Sequence, residues 1–420
     1  MFTSNYTRIT MLFKKIIVFC AMVFYLYTLE FGIFLTDFLR IPAPVIFGVI
    51  LLPFVKVKIQ SFAYLKETIF FTLGMFLYYV IGTGDYKTFV AALITILICI
   101  FYFNYFIGLN KVRFNISLII FFSLLLISMI FMVLDHTYPN TIDPLRSTLL
   151  GEDVKQSPAG LSTTVFTFGY QIAAFTAFAF ILVCSFRQLF LVQAVVLGIC
   201  LTIIYLGMNR SAFVSFTATI IIFLIIYYRF KAVLLITASI LIGFAVYSLV
   251  LKDNMDSKNN ILSKNAAKED VEINRADMAS ENLNVYADYP FGLIFYGKNW
   301  DEVTYKNPVF PFGLTSHNAY LMFITYLGPF LGFGLLFAVY QKIIRLFWLT
   351  IKHIRLKTNA LILSLLFSFL AVSLNALFHN GWLLTTDGPT LFLYFSVLQG
   401  SKIYMAQDAD EQSVELVAVH

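Results

Sequence analysis

Three side chains stand out as able to do polar chemistry in a chain of 420 residues that is 60% hydrophobic and 12% charged: Arg210, Arg275 and His317. Arg210 lies in Gly207-Met208-Asn209-Arg210-Ser211, the only polar interruption between Leu189 and Tyr228. At the start of a helix it would stand beside unpaired N–H groups and the positive end of the dipole, a setting that suits phosphate. Arg275 lies in the polar segment from Lys252 to Ser316. Guanidinium meets phosphate oxygens in fork geometry, so two arginines from different elements could clamp a pyrophosphate. His317, with an unperturbed pKa of about 6.5, could take a hydroxyl proton at neutral pH.

Each residue also has a plainer reading: Arg210 snorkelling to lipid phosphate, Arg275 pairing with Glu272 or Asp277, His317 capping an interfacial helix. His379-Asn380 and Asp387 form a weaker second cluster, read mainly as structural. His136, His317 and His379 fall on three separate loops without His-x-x-x-His or Cys-x-x-Cys spacing, so no metal site is expected. Cys20, Cys99, Cys184 and Cys200 all lie in apolar runs and read as packing residues. With neither a phosphate loop nor a dinucleotide glycine pattern, no cofactor is expected, and energy for any reaction must come from the substrate.

The elements that must position these groups are membrane helices. Soluble chains are roughly 45–50% apolar and about 25% charged, so this composition belongs to an integral membrane protein. Apolar runs predict twelve spans, near 16–35, 43–57, 68–81, 89–109, 116–134, 164–183, 189–206, 212–228, 232–251, 318–340, 360–377 and 390–403. Unbroken helix from Leu189 to Tyr228 would reach roughly 60 Å, about twice the bilayer core, so it must break at Arg210, which then sits at a membrane surface. The fold class is all-α: a polytopic inner-membrane bundle with one large periplasmic loop.

With the N-terminus inside, the inner connections hold 17 Lys and Arg, whereas the short outer ones hold Arg40, Lys87, Arg146, Lys155 and Arg210. This bias explains the net charge of +6 without a nucleic-acid partner and puts both termini in the cytoplasm. The resulting divisions are spans one to nine over 1–251, the periplasmic loop over 252–316, spans ten to twelve over 317–405, and a cytoplasmic tail over 406–420. Within the loop, Lys252 to Asp270 reads as exposed and Val271 to Asp288 as a short helix ended by Tyr289-Pro290-Phe291-Gly292. Pro308, Pro311 and Gly313 keep the approach to His317 irregular, and Thr315-Ser316 is expected to cap the next span with His317 and Asn318 in its first turn. A second outer loop, 135–161, carries His136, Asp143, Glu152 and Asp153 and could cover the same face.

Over roughly Leu189 to Leu331 the chain resembles the O-antigen ligase and O-antigen polymerase superfamily of bacterial surface-polysaccharide assembly. The resemblance rests on Asn209-Arg210-Ser211 between two spans, Arg275 followed by Tyr289-Pro290-Phe291-Gly292 in the large loop, and His317-Asn318-Ala319-Tyr320-Leu321 opening the next span. It implies a metal-independent, inverting glycosyltransferase that moves a glycan from undecaprenyl pyrophosphate to an acceptor hydroxyl at the periplasmic face. Carried over, Arg210 and Arg275 bind the pyrophosphate and His317 is the base, with Asn318, Tyr320 and His379 as supporting candidates. Two positions depart from the ligase pattern: Leu331 stands where Gly, Thr or Tyr is usual after Gly328, and Ile294 where a second loop glycine is usual.

A polymerase, whose acceptor is another lipid-linked repeat unit, is the favoured reading; a ligase acting on lipid A-core, or a transferase acting on protein, is the alternative. Membrane lipids and a chain-length regulator are the further expected partners. A lipid-linked glycan flippase is less favoured, because transporters place polar groups near the midplane and here Gln171 and Asn375 are explained as inter-helix hydrogen bonds.

Overall fold

The computed structural model describes residues 2–33, 43–55, 62–246, 248, 261, 275–311 and 314–418. Arg40, Lys56, Lys58, Gly313, Glu272 and the expected exposed stretch from Lys252 to Asp270, residue 261 aside, lie outside the described residues.

No strand occurs among the described residues. Helices α1 (Phe2–Glu30), α2 (Pro44–Leu51), α3 (Leu65–Met75), α4 (Tyr86–Phe101), α5 (Lys111–Thr137), α6 (Pro139–Leu150), α7 (Val165–Ser185) and α8 (Phe190–Leu206) precede the Arg210 break. After it come α9 (Arg210–Tyr228), α10 (Phe230–Val246), α11 (Arg275–Asp288), α12 (Trp300–Val303), α13 (Ala319–Lys352), α14 (Ala360–Asn375) and α15 (Gly388–Ala418). Among the described residues 8 helical stretches are long and apolar enough to cross a membrane, while Pro44–Phe54 and Phe190–Leu206 are shorter apolar helices. The chain is an all-α, multi-pass membrane protein.

Burial separates central helices from peripheral ones. Along α15, Leu391, Phe392, Leu393, Tyr394, Phe395 and Val397 are all fully buried, the mark of a helix enclosed on every side. It packs with α7 and α14, which are joined by Ser368 Oγ donating to the Ala174 carbonyl at 2.7 Å. Around them α8 and α10 turn Phe190 and Leu234 outward, 79% and 75% exposed, which water would penalise and lipid does not.

Gln171 makes the expected contacts between α5, α7 and the loop before α7, accepting from Ser128 Oγ and donating to the Leu161 carbonyl at 3.0 Å. Asn375 departs from expectation: buried, it has no side-chain hydrogen bond among the described residues. It is the last residue of α14, not a mid-span position.

Helix α13 breaks at Gly328, whose φ of 74° and ψ of −179° no helix tolerates. The cause is a backbone crossing with the loop: a Cβ on Gly328 would lie 1.8 Å from the Phe291 carbonyl oxygen, and one on Gly292 would lie 2.2 Å from the Gly328 nitrogen. Both positions have positive φ, so glycine is required at each for conformation and for space.

Candidate functional site

The site is assembled from the chain breaks at one end of the bundle. Asn209 caps α9, its Oδ1 accepting from the Ala212 N–H at 2.9 Å and its Nδ2 donating to the Val165 carbonyl at 2.7 Å. These bonds pin the start of α9 to the start of α7 and place Arg210 in the first turn, where it is partly buried. The expected helix-start position of Arg210 is therefore present.

Ser211 extends the same network. Its hydroxyl donates to Asn209 Oδ1 at 2.6 Å, so its only proton is committed. It must then accept from His379 Nε2, 2.6 Å away, which fixes that ring with a proton on Nε2. The His379 carbonyl in turn receives the Ala319 N–H at 3.0 Å. One histidine thus ties the first turn of α9 to the first turn of α13.

His317 does not lie inside α13. Asn318 is the cap, accepting from Leu321 N–H at 3.0 Å, and the helix starts at Ala319. This corrects the expectation that Thr315-Ser316 caps the span, and the reason is that both hydroxyls are engaged elsewhere. Ser316 Oγ accepts from Asn282 Nδ2 at 3.0 Å, and Thr315 Oγ1 from Asn380 Nδ2 at 2.6 Å. His317 is left outside the helix with φ 52°, a conformation that side-chain-bearing residues hold at a cost of about 1–3 kcal/mol and that clusters at functional sites. Its ring stacks on Phe166, with centroids 6.2 Å apart, and the other neighbour of Phe166 is the His379 ring at 5.4 Å.

Arg275 opens α11, which the buried Asn282 fastens to α13. Asn282 donates to Ser316 Oγ at 3.0 Å and to Met322 Sδ at 3.2 Å, and accepts from Thr325 Oγ1 at 2.6 Å. A fully buried amide with every polar atom used is a strong positional lock. The loop is held further along by Trp300, whose Nε1 donates to the Leu314 carbonyl at 3.0 Å.

Arg275 is partly buried. Burial, and after it the positive charge of Arg210, pull its pKa below the ordinary arginine value, while Tyr170 acts in the opposite sense. The charges of two arginines on separate elements thus act on each other. Tyr170 also packs on His379, with ring centroids 6.0 Å apart, and donates its hydroxyl to the Gly381 carbonyl. His317 and His379 thus share Phe166, and His379 also meets Tyr170 and, through Ser211, the turn that carries Arg210.

Tyr320 is placed differently. Its hydroxyl receives from Tyr340 at 2.8 Å and donates to the Ser373 carbonyl at 3.0 Å, the end of a relay that starts at Trp382 Nε1. It braces α13 against α14 inside the bundle. Asp387 caps α15 through the Thr390 N–H at 3.0 Å, and burial raises its pKa to about 6.

Sequence reading missed three contributors. Asn282 and Thr325 carry no signal beyond being polar residues, and their use appears only when α11 meets α13. Arg146 reads as an ordinary outer-loop charge yet is fully buried. Its guanidinium bonds Asp135 Oδ2 at 2.9 Å, Asp143 Oδ1 at 2.7 Å, Ser157 Oγ at 2.8 Å and the carbonyls of Gly160, Gln156 and Ser162. This hub organises the 135–161 loop, and His136 Nε2 joins the loop to the Leu206 carbonyl at 2.9 Å, next to the Arg210 turn.

The arrangement offers a partly desolvated double cation for a multiply charged oxyanion, with an imidazole beside it to accept a proton. None of the curated proteins compared matches the chain. Residues 194–337, the segment carrying Arg210, Arg275 and His317, match the family model for O-antigen ligase, so over this third of its length the chain is similar to that family.

Proposed function

We propose that the chain is an inverting, metal-independent glycosyltransferase that moves a glycan from undecaprenyl pyrophosphate to an acceptor hydroxyl at the periplasmic face, with a second lipid-linked repeat unit as acceptor. The observation carrying this reading is the juxtaposition of Arg210 and Arg275, two cations on different elements whose mutual influence is repulsive. Such a pair is costly when empty and favourable around a pyrophosphate.

In the reaction, the acceptor oxygen attacks the anomeric carbon from the face opposite the leaving group. The new C–O bond forms as the bond from that carbon to the pyrophosphate oxygen breaks, and the hydroxyl proton passes to His317. Arg210 and Arg275 stabilise the charge gathering on the departing pyrophosphate, which acts only if it is stronger in the transition state than before it. His379, through Ser211, holds the turn from which Arg210 projects and is a positioning residue.

The purified protein, reconstituted with a lipid-linked oligosaccharide, tests this. His317→Ala should retain donor binding while turnover falls by something like 10² to 10⁴. Wild-type transfer by that variant would remove the general base from the mechanism.

A second reading is a ligase, whose acceptor is lipid A-core. It is favoured by the description of the matching family and opposed by Leu331 and Ile294 at the two departing positions. A deletion strain separates the two: single-repeat surface glycan indicates a polymerase, whereas polymer stranded on its carrier indicates a ligase.

A further inference from the structure

The end of the bundle opposite Arg210 and His317 carries a second concentration of positive charge. The turns after α7 and α9 and the turn between α13 and α14 meet there around two adjoining cavities of about 680 Å³ and 450 Å³. The larger is lined by Arg187, Arg229, Lys231 and Arg355, the smaller by Arg229, Lys352, His353 and Arg355. No Asp or Glu occurs in residues 186–193, 227–231 or 350–359. Among the described residues none of these lysines and arginines forms a salt bridge.

Part of this charge has an internal purpose. Arg187 donates to the Arg355 carbonyl at 3.0 Å, and Arg355 to the Tyr227 carbonyl at 3.3 Å, so two guanidinium groups satisfy carbonyls at chain turns. Three helix C-termini converge here, each worth about half a negative charge. The N-termini of α8, α10 and α14 start at the same turns with the opposite partial charge, so the helix dipoles roughly cancel and the five formal positive charges are not offset by them.

The surroundings say which anion fits. Phe230, beside Arg229 and Lys231, is 95% exposed, and Leu189, Phe190 and Leu191 are each more than 70% exposed at the start of α8. Tyr227, Tyr228 and Cys184 form the cavity's less polar lining. Cations above an apolar, lipid-facing rim match a phosphate headgroup with acyl chains attached, and a soluble anion would leave that rim unused.

We propose that this basic double cavity binds the headgroup of an anionic glycerophospholipid, with two phosphates spanning the Arg187 and Lys352 sides in the manner a cardiolipin headgroup allows. The lipid cross-links the α7–α8, α9–α10 and α13–α14 turns, and it does so independently of the chemistry at the other end.

The test uses the full-length protein in nanodiscs of phosphatidylcholine doped with cardiolipin, counting retained lipid by native mass spectrometry. Wild type should retain cardiolipin in preference to phosphatidylcholine. Each basic residue near an anionic lipid is worth roughly fivefold in affinity, so Arg229→Gln/Lys231→Gln should weaken retention by about 30-fold. Lys352→Gln, which leaves the turns at 187–231 intact, should weaken it about fivefold, and Arg229→Lys/Lys231→Arg should retain it. Equal retention of both lipids, or retention unchanged in folded Lys352→Gln, overturns the proposal. Thermal protection by inorganic phosphate that equals protection by cardiolipin and is lost in Lys352→Gln would overturn the lipid assignment in favour of a soluble anion.

Discussion

Removing Arg275 should change binding and stability in opposite directions. Arg275→Gln keeps much of the side-chain stem and deletes the charge. A charge-assisted contact to pyrophosphate is worth roughly 1.5–3 kcal/mol, so donor affinity should fall about 10- to 150-fold. The empty protein should respond the other way, because the charge of Arg210 acts against that of Arg275. Both groups are partly exposed, so solvent screens the repulsion, and its relief should stabilise the unliganded protein by on the order of 0.5–1 kcal/mol. Thermal unfolding in detergent without donor, paired with titration of undecaprenyl pyrophosphate, reads both quantities on one preparation. A melting temperature that drops while affinity is unchanged would make Arg275 a structural ion-pair residue and refute the clamp.

Other expectations follow from the packing. Gly328→Ala puts a methyl group 1.8 Å from the Phe291 carbonyl oxygen at φ 74°, so it should cost more than about 3 kcal/mol and impair assembly; Gly334→Ala, with nothing within 4 Å, should be tolerated in the same expression test. Arg146→Gln leaves the buried Asp135 without its cation and should cost about 3–5 kcal/mol in unfolding assays, with Asp135→Asn recovering part of the loss in the double variant. Burial raises the Asp387 pKa from 3.8 to about 6, so the folded protein favours the protonated acid and loses stability as pH rises from about 4 through 6. Asp387→Asn should flatten that dependence and stabilise the protein near pH 7 by on the order of 2 kcal/mol, measured as melting temperature against pH.

The parts of the molecule legible in the sequence are those that follow from local pattern. Apolar runs have helical counterparts because a span must satisfy its own backbone, and Arg210 marks a break because an uninterrupted helix would overrun the bilayer. His317 and His379 lie on either side of Phe166, and His379 bonds the turn that carries Arg210, whose charge acts on Arg275. What was illegible depends on partners distant in sequence. Thr315 and Ser316 look like caps until Asn380 and Asn282 occupy them, after which Asn318 takes the role. Arg146 resembles any loop charge until its two aspartates and three carbonyls close around it. Gly292 and Gly328 each read as a local turn or break, whereas each exists to admit the backbone of the other.

The anchor made by Asn282 has a consequence for how the loop can vary. Asn282 lies seven residues after Arg275 and binds Ser316, Met322 and Thr325, so the spacing between the Arg275 turn and His317 is set entirely downstream of residue 275. Changes of chain length before residue 275 should therefore leave the register of α11 on α13 unchanged, because all three of these contacts lie after it. Chain length upstream of Arg275 and the packing that holds its helix are thereby separable.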